Sequence, residues 1–412
     1  MLTERRPALI ADGRPPRLRL GLVVPESYPS ISLTPWRYLL EGHNCEIKRI
    51  DLPIEGSASS LAKLAREALF TNVVVGHAEL LDVLPYLDEY PRRPPAFVIP
   101  DVNHHSPYLL RRLGRASNAW RDCDVAFCGG TDASERFRAI LGRADPCYPL
   151  GIPTEVFSPS PGRATIKTHY GLSDRNVIYA GRFAPDKNVI QLADAYSNAA
   201  SSKHDDVGLV LCSRTFNDRL LGDFLRRIPE LIRRRVRIFE NPSPSLLADL
   251  YSASDIYLSL AHSEHETFGR SVVESMACGC VPVVWRYSGH KDTVPKEGFL
   301  VPKRARPEVD LADMMAMTEH LATALSICDL SDRSGALVAA GSAHDSRRTM
   351  KRFLEMARRS IYSSRGLTRI RSTRLPHYIA RLAFEDGVGV DHLSSSLSDA
   401  ASARAWWFEH YY

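Results

Sequence analysis

Short, nearly unbroken apolar runs alternate along this chain with stretches in which apolar residues return every three or four positions. Leu20–Pro25, Val73–Gly76, Ala96–Pro100, Val177–Ala180, Leu209–Cys212, Arg237–Glu240, Asp255–Ser259 and Val281–Val284 are runs of the first kind. Continuous apolar runs of this length predict strands buried on both faces, as in a parallel sheet. Between them, Val189, Ala193, Tyr196 and Ala200 share one helical face, as do Val273, Met276, Ala277 and Cys280, and Met350, Phe353, Leu354 and Ala357. Ser245–Tyr251 is a further helical stretch, and Asn188 stands where it would cap the helix beginning at Val189. Asp122–Gly130 predicts the last strand of an N-terminal sheet and the turn after it. Strand and helix in alternation predict an α/β protein with helices on both faces of its sheets.

A chain of 412 residues implies two to three domains at about 150 residues each. Pro149–Pro159, rich in Pro and Gly, punctuates it near the middle. The expected division is 1–150, 151–345 and 346–412, the last being a helix and tail that return to the N-terminal domain. The tail ends in the aromatic segment Ala405–Tyr412, which is expected to dock on that domain or to meet a partner such as a second copy of the chain. A net charge of +5 without basic residues interleaved with aromatics gives no reason to expect a nucleic-acid partner. The densest basic cluster, Arg226–Arg235, reads as a solvated helix pair. No run approaches the roughly 20 apolar residues of a membrane span, and the N-terminus lacks a signal peptide's apolar core, so a cytoplasmic protein with eight reduced cysteines is expected.

The candidate chemistry gathers at predicted strand ends. Glu266 lies in a loop and Glu274, seven intervening residues later, lies on a helix whose apolar stripe turns it away from the core. Both carboxylates then overlook one pocket, where they can accept from hydroxyls. Between them Thr267, Phe268 and Gly269 lead into Arg270 and Ser271, whose N–H groups open the helix and suit a phosphate. Upstream, Gly181 breaks a strand, and Arg182 and Lys187 follow at its carboxyl end, where open α/β sheets bind ligands. Two cations there suit a diphosphate. His104 and His105 follow the run Ala96–Pro100 and are candidates to line a cleft, as is His77 after Val73–Gly76. The loop after the first strand, Glu26–Thr34, lacks glycine, which points to the Ser30 and Ser32 hydroxyls for any phosphate contact there. No metal site is expected: Asp122 and Asp124 open an apolar strand, and His262 and His265 do not share a helical face.

The segment from Glu266 to Val284 resembles the E-x7-E donor motif of retaining glycosyltransferases of family 4, with Arg270-Ser271 where that family often has Leu-Pro. Val177–Asn188 resembles the family's G-R-x-x-x-x-K element, and Pro149–Pro159 its interdomain linker. The resemblance implies the GT-B architecture, two facing Rossmann-like domains with a cleft between them. It implies a retaining, metal-independent hexosyltransferase without a cofactor. The donor would be a nucleotide diphosphate sugar, a UDP-sugar first and a GDP-sugar second, and the acceptor a small molecule or glycan offering a hydroxyl, amine or thiol. By the same resemblance Glu266 contacts the transferred sugar, Glu274 the ribose, Gly181, Arg182 and Lys187 the donor, and a His near His104 and His105 lines the cleft. A sugar-nucleotide epimerase, a phosphorylase or a non-catalytic nucleotide-sugar-binding subunit of the same fold are the alternatives.

Overall fold

The computed structural model describes residues 17–25, 36, 40, 43–53, 57–100, 109, 112–113, 116, 118–203, 206–262, 266–303, 309–327 and 331–363. His104, His105, Ser30, Ser32, His265 and the aromatic tail lie outside them. The chain divides into two compact units, Met1–Leu150 with Arg347–Tyr412, and Gly151–Ser346. Each unit holds a six-stranded sheet, and every pairing in both is parallel.

The strands of the first unit are β1 (Leu18–Pro25), β2 (Cys45–Leu52), β3 (Val73–Gly76), β4 (Ala96–Val98), β5 (Val125–Phe127) and β6 (Ala144–Asp145). Their order is β2-β1-β3-β4-β5-β6. Asp122–Gly130 therefore does not hold the last strand. The two-residue β6 adds itself outside β5, and a strand so short leaves almost no periodic signal. Asp124, just before β5, is fully buried. Its carboxylate meets the Arg93 guanidinium at 2.8 and 2.5 Å and accepts from the backbone N–H groups of Ala96 and Arg121. That pair ties β4 to β5 and gives Asp124 a structural role.

The long helix Ser346–Ser363 closes this unit, placing Met350, Phe353, Leu354 and Ala357 against the sheet. The Phe353 ring meets Trp36, Phe97 and Phe127 with centroids 5.5, 5.4 and 5.0 Å away. At about 1.5–3 kcal/mol per large apolar side chain buried, this helix is a substantial part of the unit's core.

The second unit carries β7 (Arg175–Ala180), β8 (Val207–Ser213), β9 (Val236–Glu240), β10 (Ile256–Ser259), β11 (Val281–Trp285) and β12 (Phe299–Val301). All seven residues of β8 are buried, as a strand covered on both faces requires. The order is β12-β11-β10-β7-β8-β9. The chain thus runs outward from β7 to β9 and then returns to β10 on the other side of β7. Such a reversal leaves a crevice beyond the carboxyl ends of the two central strands, the usual binding place in open α/β sheets. The segments after β7 and β10 are those that carry Arg182 and Glu266. The basic cluster forms two short helices, Asp218–Arg227 and Glu230–Arg233.

Asn188 departs from expectation. It takes a left-handed conformation with φ of 51°, and its side-chain amide donates to the Leu260 carbonyl at 2.9 Å instead of accepting as a helix cap. The helix Val189–Lys203 starts behind it, with Val189, Ala193, Tyr196 and Ala200 buried as predicted. Its amide is used to bind the start of the helix to the end of β10.

Candidate functional site

A pocket of about 370 Å³ opens at the carboxyl ends of β7 and β8. Its wall takes Ala180, Gly181 and Arg182 from the end of β7, and Cys212, Ser213 and Arg214 from the end of β8. Asn241 and Pro242 follow β9, Leu247 and Tyr251 come from the helix Pro244–Ala253, and Arg270, Ser271 and Glu274 from the helix Arg270–Ala277. The lining sets three guanidinium groups against one carboxylate, a balance that favours a polyanion. Its volume lies in the range of small-molecule sites.

Hydrogen bonds hold the pocket's turns in place. The Tyr179 hydroxyl donates to the Arg182 carbonyl at 2.6 Å, fixing the turn after β7. The Tyr257 hydroxyl lies 3.1 Å from the Ser271 hydroxyl and 3.3 Å from the Ala180 carbonyl, joining β10 to the start of the helix Arg270–Ala277. Arg182 is largely exposed and pairs with Asp186 at 2.7 Å. In water such a contact is worth little, so an incoming anion can draw the guanidinium away.

Glu274 lines the pocket as expected, yet it is buried rather than open, and its carboxylate meets the Arg270 guanidinium at 2.8 Å, one helical turn back. The helix lies so deep that its polar side is enclosed as well as its apolar stripe: Val272, Val273, Met276 and Ala277 are buried along with Glu274 and Ser275. Burial pushes the Glu274 carboxyl up, against the opposing pull of Arg270.

The structure separates the two halves of the predicted set. Gly181, Arg182, Arg270, Ser271 and Glu274 line the pocket, whereas Lys187 and Glu266 meet each other beside it at 2.8 Å. Both side chains are mostly enclosed. Burial alone would raise the Glu266 carboxyl, but its contacts with His290 and Lys187 outweigh that and hold it down at about 2. The two halves remain neighbours: burial pushes the Tyr257 hydroxyl up, and the charges of both Glu266 and Glu274 add to it. Thr267 ties the segment to the loop after β11, its carbonyl accepting from the Gly289 N–H at 3.1 Å and the Ser288 hydroxyl at 3.3 Å. Phe268 is buried, edge-on to His344 at 5.3 Å. Gly269 stands at φ of 77°, where a side chain would be strained.

Arg214, Asn241 and His290 were not anticipated. Arg214 directly follows the buried run of β8, so the rule that ligands bind at strand carboxyl ends would have found it. His290 lies five residues beyond β11, and nothing in its sequence neighbourhood points to Glu266. His77 is buried at the end of β3. Cys278 and Cys280 are buried too, and burial pushes the Cys278 thiol up to about 12. Among the described residues no group of three or more His, Cys, Asp or Glu could hold a metal ion. No helix among them is long and apolar enough to cross a membrane.

Residues 166–316, which contain this whole site, match the family described as Glycosyl transferases group 1. Over that stretch the chain is similar to group 1 glycosyltransferases. Over 170 residues it is 24% identical to a GDP-mannose-dependent alpha-(1-6)-phosphatidylinositol dimannoside mannosyltransferase of Mycobacterium tuberculosis. The matched stretch is 40% of this chain and 42% of the relative, so the chain spans about two fifths of the length of the curated relatives it matches. Among solved structures it resembles the sucrose-phosphate synthase of Thermosynechococcus elongatus, with a TM-score of 0.64 and 16% identity, covering 84% of this chain and 100% of that one. It also resembles the Anabaena protein HepE in complex with UDP and glucose, with a TM-score of 0.61 and 17% identity over 82% and 98% of the two chains. At these identities the likeness is one of fold. The α/β, GT-B class expected from the sequence is the class found.

Proposed function

We propose that this chain is a retaining, metal-independent glycosyltransferase of the family 4 type that uses a nucleotide diphosphate sugar. The observation that carries the reading is the joining, in one pocket at a topological switch point, of Arg182, Arg214 and Arg270 with the buried carboxylate of Glu274. In this reading the diphosphate lies among the three guanidinium groups and the first turn of the helix Arg270–Ala277. Glu274 accepts from the ribose hydroxyls, and the base rests on Pro242, Leu247 and Tyr251 with Asn241 at its edge.

As the bond between sugar and phosphate breaks, negative charge grows on the leaving diphosphate. Fixed cations aimed at it lower the barrier because they need no reorganisation at that moment. Three guanidinium groups supply that stabilisation from the chain's own residues. In this reading Glu266, paired with Lys187, accepts from a hydroxyl of the transferred sugar. The leaving phosphate is itself the candidate base for an acceptor hydroxyl, amine or thiol attacking from the same face. His104 and His105 remain the candidates to guide that acceptor.

UDP is the first base to test and GDP the second, since a fold neighbour was solved with UDP and a sequence relative is named for GDP-mannose. Calorimetry with the bare diphosphates, then NMR of the product formed in EDTA, tests the reading directly. It predicts binding of one diphosphate and a product that keeps the donor's anomeric configuration. An inverted anomer, or turnover that vanishes in EDTA and returns with Mn²⁺, overturns it.

A further inference from the structure

His290 is the least explained polar side chain near this site. It sits on the short helix His290–Thr293 after β11 and is 1% exposed. Its Nδ1 lies 3.2 Å from the Trp285 carbonyl oxygen, which can only accept, so Nδ1 carries a proton and donates. The other nitrogen, Nε2, has no hydrogen-bond partner among the described residues and points at Glu266 Oε1 from 3.7 Å. At that separation the imidazole edge closes one side of the Glu266 carboxylate.

Room for the ring is made by Gly269. A Cβ on that residue would stand 2.5 Å from His290 Cδ2 and 2.7 Å from Nε2. The donor loop thus gives up a side chain where the imidazole enters. On the other carboxylate oxygen, Oε2, Lys187 Nζ sits at 2.8 Å.

We propose that His290 is a positioning residue for Glu266: it holds Oε1 while Lys187 holds Oε2, fixing the carboxylate in one orientation toward the transferred sugar. The inference rests on the assignment of Glu266 to that sugar. With both oxygens held, the remaining lone pairs of Glu266 are aimed, and a sugar hydroxyl meets an acceptor that cannot turn to follow it. The transition state gains from this more than the ground state does, because a small displacement of a positioned group costs rate steeply. The depressed ionisation of Glu266, for which His290 and Lys187 are the causes set against burial, agrees with the geometry.

The test uses the full chain with His290→Leu, which removes the contact, and His290→Gln, which returns an N–H at similar reach. Three quantities are read: kcat for donor turnover, Kd for bare UDP or GDP, and the pH titration of the Glu266 carboxyl by ¹³C NMR, assigned through Glu266→Gln. The other charged or titratable groups near this contact are Lys187 and Asp186, Tyr179 and Tyr257, and Lys291 and Asp292 on the His290 helix. All are unchanged in both variants. His290→Leu should lower kcat about 10–100-fold, the scale on which misplacement acts, while Kd stays within about twofold. Its Glu266 midpoint should rise above the native value of about 2. His290→Gln should recover part of both. An unmoved titration with unchanged kcat overturns the proposal, and so does an equal kcat loss in both variants with Glu266 titrating as in the native chain. If the native chain binds neither diphosphate, the functional reading has failed, and the titration alone then upholds or overturns the contact.

Discussion

Gly269→Ala is the sharpest perturbation the structure offers, because two independent penalties fall on one methyl group. Gly269 has φ of 77° and ψ of 50°, a left-handed conformation that costs an L-residue about 1–2 kcal/mol. The new Cβ would also lie 2.5 Å from His290 Cδ2, and neither partner can yield easily. The His290 ring is buried and anchored to Trp285, and the Gly289 N–H is bound to Thr267. Overpacking of this kind costs about 1–3 kcal/mol. The sum is about 2–5 kcal/mol. In a unit the size of Gly151–Ser346, each kcal/mol moves Tm by about 2–4 °C, so a fall of roughly 4–20 °C is expected. Urea unfolding of Gly269→Ala, His290→Ala and the double variant separates the two penalties. Removing the ring relieves the steric part and leaves the backbone part, so the double variant should be non-additive by about 1–3 kcal/mol. A Gly269→Ala protein with native stability, or strict additivity in the cycle, would refute the argument.

Arg182→Ala should lower turnover by about 10²–10³, the usual loss for one preorganised donor, with Tm unchanged because its ion pair with Asp186 is exposed. Lys187→Ala should lower turnover and also cost about 3 kcal/mol of stability, since it strands the enclosed carboxylate of Glu266; equal Tm in the two variants would contradict the separation drawn between them. Because burial raises the Glu274 carboxyl, acidification should protonate it first among comparable acids and weaken nucleotide binding; as a raised acid it stabilises the fold below its unfolded pKa, and that contribution is lost as pH rises through the folded value. Glu274→Gln should flatten the acid limb of calorimetric Kd against pH, and an unaltered limb would remove Glu274 from the ribose. Asp124→Asn breaks a fully buried pair and should cost about 3–5 kcal/mol, measured by denaturant unfolding; native stability in the variant, together with native turnover that requires Mn²⁺ and is lost on the substitution, would reopen Asp122 and Asp124 as ligands.

Local pattern alone determined the α/β class, most of the strands and the stripes of the helices beginning at Val189, Arg270 and Ser346, because burial on two faces or on one leaves a period in the residues themselves. It also placed the candidate residues at strand ends. The strand order was not legible, and strand order makes β7 and β10 neighbours. That adjacency brings Lys187 to Glu266 across 79 positions of chain. Sequence spacing suggested that Glu266 and Glu274 share one pocket. Packing instead gave Glu274 to Arg270 and the pocket, and Glu266 to Lys187 and His290. Asn188 has the composition of a cap, yet its amide is taken by a carbonyl at the end of another strand. Each of these outcomes depends on which partner lies nearest in space, and a one-dimensional period carries no information about partners brought together by the folding of distant segments.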